Sequence, residues 1–490
     1  RARRVRSGGR MIDLGLIPAA GKGVRAYPKS SYVPKPMLEI AGVPLVQRNL
    51  EILRDAMGIR EIVIIVGYLG DHIRRHLGDG SRHGVAITYV QCDEPDIGLA
   101  RGIALAEPHL PRPFATILAD ELYLGTNHAE LRAPDGDWFA VCAVKHVDDP
   151  RLIERNYSVA IAGGRIVDVE EKPQAPTSGL LGCGSYLFTP ELFERIRTTP
   201  PSPRSGRVEL TDVIGAVARE GPRVFPFVLE GHYINVNRVE DYHAGNYLAR
   251  TLAFDRTKIS IVIPAYNEED SIGHVVADFA AHPLVHEVFV VDNSSKDATA
   301  RVAAERGARV ETVSLHGYGD TIKYGLDHAA GDLLVIVEAD HSFRSRDLGK
   351  LVEYAKDADM AIGTRTTRQM IEQGTNMQGA LRWGNVVVGK LVEALWWSQE
   401  PRFTDVGCTY RALWRSAWND IRDEVRGVGP EFSPELMVEM LRARKRVIEV
   451  PVSYFPRLGG DSKHSKNYLH IARTALRMLR IVFEKRLGLG

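Results

Sequence analysis

Cysteine is scarce in this 490-residue sequence, and long apolar runs are missing from it. The four cysteines, Cys92, Cys142, Cys183 and Cys408, are scattered, without CxxC spacing and without a neighbouring histidine cluster. This distribution argues against a disulfide framework and a zinc site, and it is typical of proteins in a reducing compartment. We therefore expect a cytoplasmic protein.

Basic and acidic residues are almost equal in number. The sequence has 63 Lys and Arg residues against 62 Asp and Glu residues, a formal charge of +1, which argues against nucleic acid as a partner. No apolar run reaches the ~18 residues needed to span a bilayer, and the N-terminus has no apolar signal-peptide segment. Residues 1–10, RARRVRSGGR, are basic, and we expect them to form a disordered arm outside the fold.

A strand–loop–helix pattern begins twice along the chain. Short apolar runs at residues 12–20 and 258–266 each break into a polar loop, and β-type runs then alternate with helical segments. Near-continuous apolar runs predict strands that are buried on both faces of an α/β sheet. Because 490 residues are too many for one core, we expect two Rossmann-like, mixed-sheet α/β domains in tandem, at residues 11–252 and 258–465.

The loop after the first apolar run has the residues of a phosphate site. Ligands of such sheets bind beyond the carboxyl ends of the strands. Gly21 and Gly23 allow close approach of the backbone, whose consecutive N–H groups can form an anion-binding nest. Arg25 and Lys35 add positive charge where a triphosphate would lie. A glycine-rich loop alone is often merely a turn, so the prediction depends on this combination.

The segment PAAGKGVRAYPKSSYVPKPM (18–37) resembles the GxGxR and PKPM signature of the sugar-1-phosphate nucleotidyltransferases. Further motifs of that family follow in order up to residue 250. The resemblance implies that Gly98 lies in the base-contacting loop and that Asp120 binds magnesium. It also implies that Glu171 contacts the hydroxyls of the sugar and Lys172 its phosphate.

Two positions depart from the usual motifs of this family. Gly182 stands where the family commonly has Asn, and Asn235 stands where many members have Asp. The implied reaction is an in-line attack of a sugar 1-phosphate on the α-phosphorus of an NTP, which needs charge neutralisation and alignment. The resemblance implies Mg²⁺ (or Mn²⁺) on Asp120 and Asn235, with Arg25 and Lys35 stabilising the departing pyrophosphate.

Residues 259–465 resemble the family 2 glycosyltransferases, particularly the polyprenyl-phosphate (dolichyl-phosphate) hexose synthases. The motifs that carry the resemblance are IVIPAYNEEDSI (261–272), FVVDNSSKDAT (289–299), VEADHSF (337–343) and EVPVSYFPRLGGDSKHS (449–465). A GT-A-type fold is therefore expected here. The residues that the resemblance places at the nucleotide-sugar are Pro264, Tyr266, Glu268, Asp292, Arg365, Arg457 and Lys463.

An acid pair ends the apolar run at residues 332–340. Glu338 and Asp340 take the place of the family's DxD motif, and carboxylates at i and i+2 can coordinate one divalent ion with its diphosphate. The resemblance also implies inversion at the anomeric carbon. An alcohol acceptor would need a carboxylate base, for which Glu431 and Glu435 are both candidates, whereas a phosphate acceptor needs none.

Residues 466–490 contain a helical pattern with two stripes. The stripes are Arg473, Arg477 and Arg480 on one side and Ala472, Leu476, Leu479 and Phe483 on the other. Such a helix either lies in a membrane interface, with its cations on anionic headgroups, or packs its apolar stripe on the domain. Relatives that act on polyprenyl phosphate often have a similar tail, which favours peripheral contact with the inner face of the membrane.

Together these patterns predict a bifunctional enzyme. One domain would form a nucleotide-sugar from an NTP and a sugar 1-phosphate, and the other would transfer a sugar from a nucleotide-sugar to a polyprenyl phosphate-type acceptor. One alternative keeps both activities but has a soluble acceptor. Another is a nucleotide-sugar-binding scaffold with one silent domain, because the metal positions Asn235 and Glu338 are altered.

Overall fold

A computed structural model describes residues 10–21, 33–94, 97–176, 178–372, 375, 380–399, 401–458 and 468–488. The chain divides into two compact units, Arg1–Gly245 and Asn246–Gly490, each with its own large sheet. The domain border expected between residues 252 and 258 therefore lies a few residues beyond this division. Residues 1–9 of the expected basic arm lie outside the described residues, while Arg10 forms an isolated antiparallel bridge with Ala133.

The first unit is built around a nine-stranded mixed sheet. The strands of this unit are β1 (Leu14–Ala19), β2 (Glu39–Ile40), β3 (Val43–Pro44), β4 (Glu61–Val66), β5 (Ala86–Gln91), β6 (Phe114–Ile117), β7 (Glu121–Leu124), β8 (Ala140–His146), β9 (Tyr157–Ala162), β10 (Arg165–Glu171), β11 (Leu180–Phe188), β12 (Val224–Val228) and β13 (His232–Asn235). Nine of them form the large sheet, whereas β2 with β3 and β7 with β13 form separate two-stranded sheets. The helices are α1 (Leu45–Glu51), α2 (Gly70–Leu77), α3 (Leu99–Ala104), α4 (Pro150–Glu154), α5 (Glu191–Thr198), α6 (Leu210–Glu220) and α7 (Val239–Ala253), which contains the division between the units.

The strand order of this sheet is β10-β9-β11-β6-β1-β4-β5, and β8 pairs with β11 and β12. Strands β1, β4, β5 and β6 run parallel, whereas β11 is antiparallel to β6, β8 and β9. Leu14 and Leu16 of β1 face one apolar cluster, and Ile17 and Ala19 face the other. Successive side chains of a strand point to opposite faces, so the central strand is covered on both sides, as the apolar runs predict.

The second unit has a seven-stranded mixed sheet of order β16-β15-β14-β17-β19-β18-β20. Its strands are β14 (Ile259–Ala265), β15 (Glu287–Asp292), β16 (Arg309–Thr312), β17 (Leu333–Ile336), β18 (Met360–Thr364), β19 (Arg411–Trp414) and β20 (Val447–Pro451). Its helices are α8 (Glu269–Ala280), α9 (Thr299–Glu305), α10 (Tyr318–His328), α11 (Leu348–Asp357), α12 (Ala380–Leu395), α13 (Arg415–Ile421), α14 (Phe432–Arg442) and α15 (Tyr468–Leu487). The first four strands are parallel, and β19 runs antiparallel to both of its neighbours. The prediction of two mixed-sheet α/β domains and a C-terminal helix is confirmed.

The C-terminal helix α15 packs on the second unit through only part of the predicted apolar stripe. Leu479 of that stripe packs against the apolar core, next to the fully buried Val482, which the prediction did not include. Leu476 and Phe483, by contrast, are 67% and 44% exposed. Within the described part of the chain, no helix is long and apolar enough to cross a membrane. The helix thus combines a packed side with exposed apolar residues.

Candidate active sites

A cavity of about 500 Å³ opens at the carboxyl ends of the parallel strands in the first unit. Gly21 follows β1 and lines this cavity, while Asp120 follows β6 at its edge. Gly98 lines it from the N-terminus of α3, where its φ of 90° is a backbone conformation that favours glycine. Gly23 and Arg25, the other predicted loop residues, lie outside the described residues.

Lys35 is a buried cation that lines this cavity. It begins a short 3₁₀ turn, Lys35–Met37, and is only 6% exposed. Its Nζ donates to Asp120 Oδ2 at 2.6 Å and to Asn237 Oδ1 at 2.8 Å. The ammonium therefore neutralises the predicted metal-binding carboxylate and lies where it can also meet an incoming phosphate. Asn237 was not predicted from the sequence.

Asn235, the position that departs from the usual acid, lies beside Asp120. It ends β13 opposite Glu121 of β7, and the next backbone N–H, of Val236, donates to the Asp120 carbonyl at 3.0 Å. The amide nitrogen of Asn235 donates to Asn156 Oδ1 at 2.7 Å, while its buried Oδ1 accepts no hydrogen bond.

An unpartnered amide oxygen next to a carboxylate fits a Mg²⁺ ion, which takes oxygen ligands and keeps several waters. The donor set of Asp120 and Asn235 contains one carboxylate only. Among the residues that the structure describes, no group of three or more His, Cys, Asp or Glu side chains could hold a metal. Asp120 and Asn235 would therefore hold such an ion through few protein ligands, and the ion would neutralise phosphate charge.

Glu171 and Lys172 form the opposite wall of the cavity. Lys172 Nζ lies 2.6 Å from Glu171 Oε1, and the backbone of Lys172 has a left-handed φ of 46°. Its N–H donates to the Asn156 carbonyl at 2.6 Å, and Arg204 donates to the carbonyl oxygens of both residues. A non-glycine residue held in this conformation is typical of a ligand-binding position.

Glu121 is a buried acid that the sequence motifs did not single out. Its carboxylate accepts hydrogen bonds from Tyr123, from Tyr233 at 2.7 Å and from the Gly184 N–H at 2.7 Å. Burial, and then the charge of Asp120, raise the pKa of Glu121 to about 7. By joining β7, β13 and β11, this side chain fixes the floor of the cavity. In the sequence, only its position directly after Asp120 indicates that Glu121 belongs to the site.

The second unit brings its own predicted residues together at the carboxyl ends of β14, β15 and β17. Pro264 of β14 pairs with Val291, and the buried Asp292 ends the neighbouring strand. Tyr266, which is 41% exposed, follows β14. Glu268 comes next in this loop; its backbone N–H donates to Thr299 Oγ1 at 2.8 Å.

Glu338 and Asp340 follow β17, and Arg457 spans them. Arg457 Nε lies 2.9 Å from Asp340 Oδ2, as an ion pair without hydrogen-bond alignment, and its Nη2 lies 3.5 Å from Glu338 Oε2. Burial, and then the charge of Asp340, raise the pKa of Glu338 to about 7, and Arg457 opposes this shift. Because Asp340 Oδ2 accepts no aligned hydrogen bond, the acid pair fits a divalent ion. The guanidinium of Arg457 fits the diphosphate of a nucleotide-sugar.

Arg365 has a different setting from the one expected of a phosphate-binding residue. Its Nε and Nη2 pair with both oxygens of the buried Asp405, at 2.8 and 2.9 Å. Its guanidinium also lies over the Tyr454 ring, 5.2 Å from the centroid. The arginine therefore anchors the loop around Asp405, and its predicted contact with phosphate stays a prediction. Lys463 lies outside the described residues.

Tyr318 and Thr409 are further residues at the acid pair that the motifs missed. Thr409 Oγ1 donates to Glu338 Oε1 at 2.9 Å. The Tyr318 hydroxyl is buried, and burial and then the charge of Glu338 raise its pKa well above the ordinary value. Both were hidden because they come from separate elements, α10 and the loop before β19, that meet only in the fold.

The two carboxylate candidates for a base differ clearly in their surroundings. Glu435 is fully buried, accepts from the Arg426 and Gly427 N–H groups, and pairs with Lys485. Glu431 accepts from the Gly429 N–H at 3.0 Å, and its Oε2 is buried without a partner. Of the two, only Glu431 has an oxygen free to accept a proton.

Each unit thus places an acid and a basic partner at the ends of its parallel strands, an arrangement that fits a transferase with two nucleotide-sugar sites. Comparisons with known proteins agree: residues 14–250 match the nucleotidyl transferase family, and residues 260–411 match glycosyl transferase family 2. The chain belongs to both families, one in each half. It combines sugar-nucleotide synthesis with glycosyl transfer.

Named relatives are similar to one half of the chain each. A UTP–glucose-1-phosphate uridylyltransferase of Haloferax volcanii is 32% identical over 46% of this chain and 92% of its own length. An uncharacterized glycosyltransferase of Mycobacterium tuberculosis is 35% identical over 42% of this chain and 89% of its own length. Among solved structures, UDP-glucose pyrophosphorylase in complex with UDP-glucose is 26% identical, with a TM-score of 0.41, over 49% of this chain and 100% of its own.

Proposed function

We propose that the first unit forms a nucleotide-sugar from an NTP and a sugar 1-phosphate, with Mg²⁺ and release of pyrophosphate. The second unit transfers a sugar, with inversion, from a nucleotide-sugar to a polyprenyl phosphate-type acceptor. The observation that carries the first part is the cavity that joins Lys35 and Asp120 on one side to Glu171 and Lys172 on the other.

In the first site the residues align and neutralise two phosphates rather than supply a nucleophile. Lys172 binds the phosphate of the sugar 1-phosphate, and Glu171 accepts hydrogen bonds from sugar hydroxyls. Lys35 binds the nucleotide phosphates and stabilises charge on the leaving pyrophosphate. Asp120 and Asn235 would hold the Mg²⁺, which supplies further charge neutralisation. The Haloferax relative makes UTP and glucose 1-phosphate the first substrates to test.

In the second site Asp340 and Glu338 would hold a divalent ion, and Arg457 binds the diphosphate of the nucleotide-sugar. The leaving nucleoside diphosphate gains charge as the glycosidic bond breaks, and a cation at its oxygens stabilises that charge. A phosphate acceptor is already an anion and needs no base. The burial of Glu435 against Lys485 supports this acceptor class, and the free oxygen of Glu431 supports the alternative, a soluble alcohol acceptor.

Exposed apolar and basic residues support a lipid-linked acceptor. On α15, Leu476, Phe483 and Leu487 are exposed beside Arg477 and Arg480. The region of α12 adds exposed Trp and Val side chains, namely Trp383, Val387 and Trp397. Trp at an interface and Arg against anionic headgroups are the usual means of peripheral membrane contact. We therefore propose that the second unit lies against the inner face of the membrane.

The first activity is tested by pyrophosphate release from five NTPs, each combined with a panel of sugar 1-phosphates. Asp120→Ala should abolish release, while Asp148→Ala, an exposed matched control in the same unit, should retain it. Release by no combination would favour a silent first domain that serves as a binding scaffold.

Membrane contact is tested by sedimentation with phosphatidylglycerol vesicles, with phosphatidylcholine vesicles as reference. The pair Arg477→Glu and Arg480→Glu should reduce binding, whereas Arg301→Glu, an exposed control on α9, should not. If the wild type does not sediment and polyprenyl phosphate accepts no sugar label, the soluble-acceptor alternative replaces this proposal.

A further inference from the structure

Gly182 lies directly opposite Tyr157, on paired strands β11 and β9. The ring of Tyr157 covers the glycine so closely that an added Cβ would overlap its ring atoms. The Tyr157 hydroxyl donates to the Cys183 carbonyl at 3.0 Å, which fixes the ring in this position. Any side chain at position 182, including the Asn common at this position, is therefore incompatible with this ring.

The same ring belongs to the wall of the cavity in the first unit. Tyr157 and Gly182 both line it, and Tyr157 also pairs with Glu171 at the end of β10. The preceding residue, Asn156, accepts two hydrogen bonds: its carbonyl oxygen accepts from the Lys172 N–H, and its Oδ1 accepts from the Asn235 amide. Tyr157 thus stands beside the residues proposed to bind the sugar 1-phosphate.

We infer that Tyr157 determines which sugar 1-phosphates the first site accepts, by taking up the space that a side chain at position 182 would fill. This inference rests on the proposed function of the first unit. The ring offers an apolar face, and its hydroxyl is already bonded to a carbonyl. The wall therefore selects by shape and excludes bulky substituents, and the class of substrate it fits is a compact hexose 1-phosphate without an N-acyl group.

A purely structural role for the ring is the competing explanation, because an aromatic side chain over a strand glycine is a known packing device. The two roles make different predictions. Packing alone would make Tyr157 matter for stability but leave the choice of sugar unchanged. A wall of the sugar site would change the choice of sugar in any variant that still folds.

The test compares glucose 1-phosphate with N-acetylglucosamine 1-phosphate, each with UTP, on the full chain. Tyr157→Gly should raise the ratio of kcat/KM for the N-acetyl sugar over glucose by about tenfold or more, the range that a change in pocket size produces. Tyr157→Phe keeps the ring and removes the hydroxyl with its hydrogen bonds to Cys183 and Tyr186, so it should leave this ratio unchanged.

The overlap itself is tested by a double-mutant cycle that needs no activity. Gly182→Asn alone should lower Tm by about 5 °C, as overpacking does. In the Tyr157→Gly background the same substitution should lower Tm by much less, because the ring that it overlaps is gone.

An unchanged sugar ratio in a folded, active Tyr157→Gly variant overturns the inference and leaves packing as the role. If the wild type releases no pyrophosphate, the proposed function fails separately. The shift in Tm caused by each sugar 1-phosphate then decides whether Tyr157 limits the size of the occupant: a larger shift with the N-acetyl sugar in Tyr157→Gly supports it, and equal shifts refute it.

Discussion

Replacing Lys485 by Met should destabilise the second unit strongly. Lys485 is 4% exposed, and its Nζ lies 3.1 Å from Glu435 Oε1 and 2.9 Å from Glu439 Oε1. It also donates to the Glu424 carbonyl at 2.5 Å. Both carboxylates are almost fully buried, so the variant leaves two acids facing each other without their shared cation.

Removing one partner of a buried ion pair costs about 3–5 kcal/mol, because the remaining charge stays desolvated. For a unit of this size that loss lowers Tm by roughly 10 °C. Met preserves the apolar stem of the lysine, so the change isolates the charge.

Thermal unfolding of the full chain, followed by near-UV circular dichroism, measures the effect. Arg480→Ala is the matched control on the same helix: Arg480 is 78% exposed and pairs with Glu484 at the surface, so the effect should stay within about 0.5 kcal/mol. A Tm that falls by less than about 2 °C in Lys485→Met would refute the conclusion that α15 is an integral part of the second unit.

Three further predictions follow from individual contacts. Burial lowers the pKa of His128 to about 4, so the folded state resists protonation of this side chain. Stability that is present above about pH 6.5 is therefore lost as the pH falls toward 4, by up to about 3 kcal/mol. In acid-unfolding curves, His128→Asn should remove this pH dependence of stability. Gly184→Ala would place a Cβ 2.5 Å from Glu121 Oε2, so Tm and pyrophosphate release should both fall, the latter by about tenfold or more. Arg457→Leu removes the cation from Asp340, so glycosyl transfer should fall by about 100-fold while pyrophosphate release stays unchanged.

The sequence predicts those features that depend on local pattern. Apolar runs locate the central strands β1 and β14 to within two residues, and the motifs place Asp120 and Asp340 at strand ends. The packing of α15 is less predictable, because helical periodicity cannot tell which stripe finds a partner. Leu476 and Phe483 were grouped with Leu479, yet only Leu479 packs on the core.

Contacts between strands that are distant in sequence escape such reasoning. The departure at Gly182 is visible in the sequence, but the Tyr157 ring that covers this glycine is not, because their contact depends on the register between β9 and β11. The partners of Lys35 were hidden in the same way, since Asn237 lies 202 residues further along the chain. Register and long-range pairing are set by the whole core rather than by any short motif.

If the two transferase sites work independently in one chain, each activity should be lost separately, and measuring pyrophosphate release and sugar transfer together in three proteins tests this. We expect the wild type to do both, Asp120→Ala to lose pyrophosphate release but still transfer sugar from supplied nucleotide-sugar, and Asp340→Ala to show the reverse. Loss of both activities in either variant with its fold intact, or pyrophosphate release that survives Asp120→Ala, would contradict this expectation.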